Sequence, residues 1–506
     1  MKILIVVPRH FENPDRSYPF PLGAATVHAM LVSKGHDVDV LDLNRSQGTP
    51  AQLVGDRVSA SDYRVVMAGG LTQELKKLRQ VFQAAKQANP AVVTVGGGGG
   101  FTAAPALFGK LTGVDYACVG EAEHIACDLV EALAGGRSMQ QVRGLVIRDG
   151  NSWHTTPAAP QIADLDTLPL VDYEAFGVEE YLQRQYSNDF YPMYVEDRPG
   201  NLPMTLGRSC PYKCTFCFHP ASGAYRQRSL DHFFADLDRL LERYPIRTLS
   251  IYDELFASSP RKLKAFCERI RPYRLKWVVQ VRVDIMTPEM LELLRASGCF
   301  YVSYGLESMS ARILDSMRKR ITPGQIAHAL KMTYDAGIGI QGNFIFGDPA
   351  ETWDTFNETL EWWSRHRHYQ INLGMIMPLP GTVLFRDAVS QGRIPDAAAY
   401  IEAGCPPVNM TALQDSEYEK MRAIIKALQK DNPYTGEILR LEPVEGNVYS
   451  ADLRCSHCRA VHTLSRLYLA PGQESTRQRI GCRQCNARSA YLFEPRKQAA
   501  ATVLAH

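Results

Sequence analysis

The residues of this chain best suited to chemistry are three thiols at spacing CxxxCxxC: Cys210, Cys214 and Cys217, in the segment from Gly207 to Phe218. An iron-sulfur cluster ordinarily takes four protein thiolates. A compact motif that supplies three, with no further Cys until Cys267, leaves one iron of a cubic 4Fe-4S cluster open for a small molecule. The competing reading is a zinc site, but tetrahedral zinc sites come as paired CxxC knuckles closed by a fourth ligand. Such a pair stands in the tail: Cys455 with Cys458, then Cys482 with Cys485, 23 residues apart. Four thiolates at this spacing fit a zinc ribbon, and a rubredoxin-like iron site uses the same ligands. The sequence leaves zinc and mononuclear iron both open, because either accepts tetrahedral thiolates. Since four thiolates close the site, His457 and His462 read as neighbours of it and not as ligands.

Composition places these motifs in a large globular chain. At 506 residues the length prior is about three domains, and 45% hydrophobic with 22% charged residues is ordinary globular usage. No apolar run approaches the ~20 residues of a membrane span. The start, Met1 to Pro8, reads as a buried first strand and not a signal peptide. The expected location is therefore the cytoplasm. Cys118, Cys127, Cys267, Cys299 and Cys405 are scattered among mostly apolar neighbours, as reduced core thiols are. The net charge of +2 gives no global footprint for nucleic acid. Locally the tail is basic, with Arg454, Arg459, Arg477, Arg479, Arg483 and Arg488 around the knuckles. That pattern motivates a rival in which the ribbon binds RNA, but it lacks a continuous basic groove, so nucleic acid is not the expected partner.

The elements that must position the thiols read as α/β throughout. In residues 1–150 short β-branched runs alternate with amphipathic helices, the pattern of a doubly wound parallel sheet. Strands are expected at Lys2 to Val7, Asp37 to Leu41, Tyr63 to Ala68, Val92 to Val95, Tyr116 to Val119 and Leu145 to Arg148, with helices at Leu22 to Lys34 and Gln73 to Asn89. Ligands in such sheets lie beyond the carboxyl ends of the strands. Those ends carry Pro8 to Pro21, Gly69 and Gly70, the run Gly96 to Gly100, and Gly120 with Glu121. Residues 151–200, with Pro157, Pro160, Pro169 and Pro192, read as a linker. Residues 201–395 hold six strand-plus-helix units, enough for a partial (β/α)6 barrel and too few for a closed eight-fold one. Their strands are expected at Met204 to Gly207, Thr248 to Tyr252, Trp277 to Val283, Phe300 to Tyr304, Gly339 to Phe346 and Gln370 to Met377. Active residues of such barrels sit at carboxyl strand ends, which is where the cysteine loop falls. A helical connector (396–445) and the four-cysteine metal ribbon with its tail (446–506) complete the chain.

The three-cysteine motif, including Phe216 before its last Cys, resembles the cluster motif of the radical S-adenosylmethionine (radical SAM) enzymes. The order Pro21 to Ala25, Gly35 to Val38, Val95 to Gly98, Val114 to Tyr116 and Gly120 to Glu123 resembles the cobalamin-binding domain that precedes the barrel in the cobalamin-dependent subfamily. Leu165 to Asp172 is similar to the subfamily's linker. The resemblance implies a 4Fe-4S cluster on Cys210, Cys214 and Cys217, SAM, and cobalamin near Gly70, Gly97, Gly98, Gly120 and Glu121. The Asp-x-His-x-x-Gly signature that supplies a lower cobalt ligand in some cobalamin enzymes is absent. For SAM the resemblance implies Phe216, the acidic pair Asp253 and Glu254 for the ammonium, Arg282 for the carboxylate and Glu307 for the ribose. The turn Gly347 to Thr352 resembles the subfamily's Gly-x-Pro-Gly-Glu-Thr, with Ala350 in place of Gly. Tyr301, Tyr304, Asn343 and Met377 are expected at the same mouth or in packing. No residue reads as a catalytic acid or base. The implied activity is reductive cleavage of SAM with C-methylation of a small-molecule or lipid-like substrate, fed by a low-potential donor such as flavodoxin or ferredoxin. Radical cyclisation, carbon-carbon coupling or rearrangement would use the same constellation, and RNA modification is the further alternative.

Overall fold

Near-continuous apolar runs such as Ile3 to Val7, every residue of which is buried, suit strands covered on both faces. They build a seven-stranded sheet in the first of two units. That unit comprises Met1–Glu179, Leu206–Asp238 and Ile376–Met410, and the second comprises Glu180–Thr205, Arg239–Met375 and Thr411–His506. The structure, a computed structural model, describes residues 1–11, 18–188, 197, 200–219, 223–431, 433–472 and 475–494. Part of the Pro8 to Pro21 segment, Pro192 and the tail beyond Glu494 lie outside the described residues.

The first sheet consists of β1 (Lys2–Val7), β2 (Asp37–Asp42), β3 (Val65–Gly69), β4 (Val93–Gly97), β5 (Tyr116–Cys118), β6 (Leu145–Asp149) and β7 (Ser152–Thr155). Its order is β2-β1-β3-β4-β5-β6-β7. The pairs from β2 to β5 are parallel, so the order reverses between β1 and β3, where doubly wound folds open their ligand crevice. The helix Leu75–Ala88 buries Leu75, Leu78, Val81, Phe82 and Ala85 on one face. Full burial of side chains such as Leu78 and Phe82 contributes roughly 1.5–3 kcal/mol each.

Two expectations change here. β6 is antiparallel to β5 and forms a hairpin with β7, so the sheet is not wholly parallel and continues to Thr155. The hairpin closes on the two-residue turn Gly150 and Asn151, where Gly150 takes φ +57°, the demand that a tight hairpin makes on its first turn position.

β8 (Asn201–Met204) belongs to the second unit, whereas β9 (Gly207–Arg208) and β10 (Arg226–Gln227) form a short antiparallel ladder in the first. With β8, strands β11 (Thr248–Ile251), β12 (Lys276–Val281), β13 (Cys299–Glu307), β14 (Gly339–Phe346) and β15 (Asn372–Met375) form an open, wholly parallel sheet ordered β15-β14-β13-β12-β11-β8. This is the partial barrel. β8 begins and ends three residues before the expected Met204 to Gly207. It can include Pro203 because it is an edge strand, where a missing N–H breaks no ladder. Three helices of this unit start with the same device: Ser259, Thr287 and Thr322 accept an amide hydrogen bond ahead of Pro260, Pro288 and Pro323. Trp277 packs against Phe256 and Phe266 at ring distances of 5.9 and 5.2 Å.

The last strands are β16 (Glu437–Glu445), β17 (Val448–Arg454), β18 (Val461–Tyr468), β19 (Thr476–Gly481) and β20 (Arg488–Phe493). β16, β17 and β18 form one antiparallel sheet, and β19 pairs with β20. Among its described residues, the expected helical connector is helical at Ala397–Glu402 and Asp415–Lys430 only, and Glu437–Glu445 is a strand. A second Gly-Asn turn, Gly446 (φ +53°) and Asn447, folds it onto β17.

Candidate functional site

The cysteine loop is held at its base. β9 and β10 pair through Gly207 with Gln227 and Arg208 with Arg226, which brings the two ends of the loop together. Both arginines then clamp onto the loop after β5: Arg208 reaches Glu121 at 2.9 Å and Glu123 at 2.5 Å, and Arg226 reaches Glu121 at 2.8 Å. The Ile162 amide donates to the same Glu121 carboxylate at 3.0 Å. These hydrogen bonds hold Glu121 below the usual carboxylate range despite its burial. Glu121 thus clamps the cysteine loop, its carboxylate held by two guanidinium groups and an amide. Within the loop, Ser209 takes φ +68° just before Cys210, and the Cys217 amide donates to the Cys214 carbonyl at 3.2 Å. Cys210, Cys214 and Phe216 are half-buried and Cys217 is exposed. The other free thiols outside the two clusters are buried, and burial pushes Cys118 up to about 12 and Cys127, Cys267 and Cys405 up to about 11. They stay protonated and inert.

The glycines of the first sheet divide into two kinds. A Cβ on Gly98 (φ +88°) would meet the Gly70 carbonyl at 2.9 Å, and one on Gly70 would meet the Glu74 carboxylate at 2.6 Å. Gly98 lets backbone pack on backbone, and Gly70 makes room for the Glu74 side chain. Gly97 at the end of β4 and Gly120 (φ +93°) after β5 have nothing within 4 Å of a Cβ. They face open space at the carboxyl edge of the sheet, the side where such sheets bind ligands.

In the second unit, Asp253 is buried and Glu254 half-buried, both just after β11. Glu307 ends β13 in a left-handed conformation (φ +66°) at a register shift between Gly305 and Glu307. Such a conformation costs of order 1–3 kcal/mol for a non-glycine residue and collects at functional sites. Lys319 pairs with Glu307 at 2.6 Å. Arg282 follows β12 and is buried. Its guanidinium binds Asp284 at 2.9 Å and the carbonyls of Lys319 and Arg320 at 3.2 Å, so it fastens the loop after the helix Ala311–Ser316 to the end of β12. Tyr304 is buried with its hydroxyl 2.8 Å from Thr333, Asn343 accepts from Asn372 at 3.2 Å, and Met377 is exposed. Tyr301 is buried, so the two tyrosines serve packing.

Sequence reasoning named the turn after β14 but gave its acids no role. Asp348 is 0% exposed and Glu351 is 2% exposed. Glu351 accepts from the Gly347 amide at 3.2 Å and the Thr355 hydroxyl at 2.7 Å, and Asp348 accepts from Ser316 at 2.5 Å. Burial pushes Glu351 up to about 7 and raises Asp348 as well. The folded state thus favours protonated Glu351. Its contribution to stability is complete below about pH 4.5 and is lost as pH rises through 7, a difference of roughly 3 kcal/mol. Glu351→Gln removes the ionisation. The variant should therefore exceed the parent in denaturant midpoint at pH 8 and lose that advantage at pH 5. Parallel pH profiles for the two proteins would contradict this.

The tail cysteines converge. All four ligand atoms lie within 4.8 Å of one another, the only such group among the described residues. Each CxxC closes a hairpin, the first between β17 and β18 and the second between β19 and β20. The knuckles match residue for residue. Arg459 and Asn486 take φ +62° and +57°, the Cys455 and Cys482 amides donate to Ala460 and Ala487, and the His457 and Gln484 amides point at Cys455 Sγ (3.3 Å) and Cys482 Sγ (3.4 Å). The correspondence extends across the site, where His462 Nε2 lies 2.9 Å from Cys482 Sγ and Ser489 Oγ lies 3.8 Å from Cys455 Sγ. His462 is a neighbour of the thiolates, as its place in the sequence implied. Of the tail arginines, Arg454 and Arg459 pair with Glu437 at 2.6 and 3.5 Å, Arg488 is buried, and Arg477 and Arg483 are exposed.

Residues 204–362 match the radical SAM superfamily, and residues 16–130 match the B12 binding domain. The chain is a radical SAM protein with a B12-binding domain. It is 27% identical to an uncharacterized methyltransferase of Pyrococcus horikoshii, over 77% of this chain and 83% of that protein. It is 28% identical to the anaerobic magnesium-protoporphyrin IX monomethyl ester cyclase of Rubrivivax gelatinosus, over 79% and 72%. Among solved structures, the fold is shared with the radical SAM methyltransferase TsrM from Kitasatospora setae with cobalamin and a 4Fe-4S cluster bound. That match has a TM-score of 0.63 at 19% identity and covers 78% of this chain and 75% of TsrM. The radical SAM match implies a 4Fe-4S cluster and SAM, and the B12-binding match implies cobalamin. Three thiols on one stapled loop suit a cluster with an open iron, and the open space at Gly97 and Gly120 suits a ligand laid against the sheet edge. No helix among the described residues is long and apolar enough to cross a membrane.

Proposed function

We propose that this enzyme reductively cleaves SAM and methylates an unactivated carbon of a small-molecule or lipid-like substrate in a cobalamin-dependent reaction. When bound, the cluster supplies the electron that breaks the SAM sulfonium bond, and cobalamin carries the methyl group. Cys210, Cys214 and Cys217 hold the cluster, and Phe216 packs beside it. Asp253 and Glu254 accept from the SAM ammonium, and Glu307 hydrogen-bonds the ribose from its strained strand end. Gly97 and Gly120 leave room for cobalamin. The observation that carries the reading is the three-thiol loop together with a B12-binding domain in one chain. The methyltransferase relatives support methylation. A low-potential flavodoxin or ferredoxin in the cytoplasm would supply the electron, and the tail site holds zinc or mononuclear iron.

The cyclase relative favours a second reading, radical ring formation on the same constellation. Incubation of the reconstituted enzyme with candidate metabolites and SAM deuterated in its methyl group separates them. Methylation predicts mass-spectrometric transfer of label to a product carbon. An altered but unlabelled product with stoichiometric 5'-deoxyadenosine would overturn methylation in favour of cyclisation or coupling.

A further inference from the structure

Beside β15, one edge of the barrel sheet, the second unit forms a half-open cavity of about 250 Å³. The radical SAM chemistry proposed above does not use it. Its walls come from three places: the segment carrying Arg367 and Gln370 after the helix Trp353–Arg365, the segment carrying Asp431 after the helix Asp415–Lys430, and the ribbon strands that carry Arg479 and Arg488. Three arginines and one aspartate therefore face a single concave space.

Their partners are mostly neutral. Arg367 binds Asp431 at 3.1 Å and lies 4.0 Å over the Trp363 ring, so that pair carries little net charge. Arg488 is 2% exposed and hydrogen-bonds Gln370 at 3.1 Å. Arg479 is half-buried and donates to the Asn372 side chain at 3.2 Å and the Gln429 carbonyl at 3.1 Å. No carboxylate pairs with Arg479 among the described residues. Burial and then the repulsion of Arg488, Arg477 and Arg367 lower its affinity for its proton. Charge in such a place is costly unless something compensates it. Water can do so in part, but a guanidinium fork in a cavity is shaped for the parallel oxygens of an oxyanion.

We propose that this cavity binds a small phosphate monoester, with the phosphate held by Arg479 and Arg488 and the polar body of the ester lying along Gln370 and Asn372. Its volume exceeds that of a phosphate group alone, which leaves room for the ester's body. Arg479 and Arg488 also dock the ribbon on the barrel edge through Asn372 and Gln370. A bound dianion therefore cancels the repulsion at this seam and tightens the ribbon against β15.

The test is thermal denaturation and calorimetric titration of the full-length protein with inorganic phosphate, glycerol 3-phosphate and a short single-stranded RNA, in low-salt buffer free of phosphate. Saturable binding of glycerol 3-phosphate with a rise in Tm is expected, weaker for inorganic phosphate and diminished by salt. Arg479→Gln should bind about tenfold or more weakly, the cost of one charged hydrogen bond. Without ligand it should melt no lower than the parent, because it removes a repulsion. Arg479→Lys, which keeps the charge and loses the fork, should bind with intermediate affinity. Four results would each overturn the proposal: no saturable response to either phosphate, equal affinity in parent and Arg479→Gln, binding of the RNA alone, or a ligand-free Arg479→Gln that melts below the parent.

Discussion

Stripping the metal from Cys455, Cys458, Cys482 and Cys485 is expected to unfold the ribbon while leaving the barrel intact. The core beneath the knuckles is small: Leu441, Ala451, Leu453, Leu464, Leu467, Leu469, Ile480, Tyr491 and Phe493 are its buried members. A core of this size in a module of fewer than ~70 residues supplies at most about 3–5 kcal/mol. Binding of a structural zinc to such knuckles is worth roughly 10–16 kcal/mol, so the ion dominates. Hydrogen-exchange mass spectrometry should show β16 to β20 losing amide protection after chelation, with β11 to β14 unchanged. Cys455→Ala and Cys482→Ala should reproduce the loss, and elemental analysis of the folded protein separates zinc from iron. Retained protection in metal-free protein would show that packing against the barrel, through Arg488 to Gln370 and Asn486 to Gly337, suffices.

Replacing Cys210, Cys214 or Cys217 by Ala should abolish the cluster without unfolding the chain. None of the three thiols is buried, so the change leaves no core cavity. Each is expected to hold one iron, so its loss should exceed the roughly 10–100-fold penalty that follows removal of an outer partner of a metal ligand. Iron content and the visible absorption of the reconstituted protein should fall, with an unchanged circular dichroism spectrum. Cys267→Ser, a change at a buried thiol that burial holds protonated, leaves the cluster intact. A variant such as Cys214→Ala with a full complement of iron and sulfide would contradict the assignment.

The chemistry-bearing cysteines were legible because their spacing is local: CxxxCxxC and CxxC fix ligand geometry over a few residues. The strands were legible where burial on both faces leaves an uninterrupted apolar run, as in β1. Two hairpins escaped the reading at the same dipeptide. Gly150-Asn151 and Gly446-Asn447 each turn one strand onto the next, and Gly-Asn between short polar strands was available as a hairpin signal. The roles of Glu121 and Arg282 were not legible, because their partners are remote in sequence or depend on loop conformation. Arg208 and Arg226 lie 87 and 105 residues from Glu121, and Arg282 closes on carbonyls 37 and 38 residues away. A motif position can name a charged residue, but only the fold shows whether that charge is already spent. Asp348 and Glu351 illustrate the reverse case, in which two acids given no role in the sequence are buried in the turn after β14.

The central claim is that the stapled three-cysteine loop turns this chain into a reductive SAM-cleaving enzyme, and 5'-deoxyadenosine formation tests it most directly. Anaerobically reconstituted, chemically reduced protein should convert SAM to 5'-deoxyadenosine. The triple variant Cys210→Ala, Cys214→Ala, Cys217→Ala, with its tail metal still bound, should form none. Undiminished 5'-deoxyadenosine from that triple variant would contradict the account.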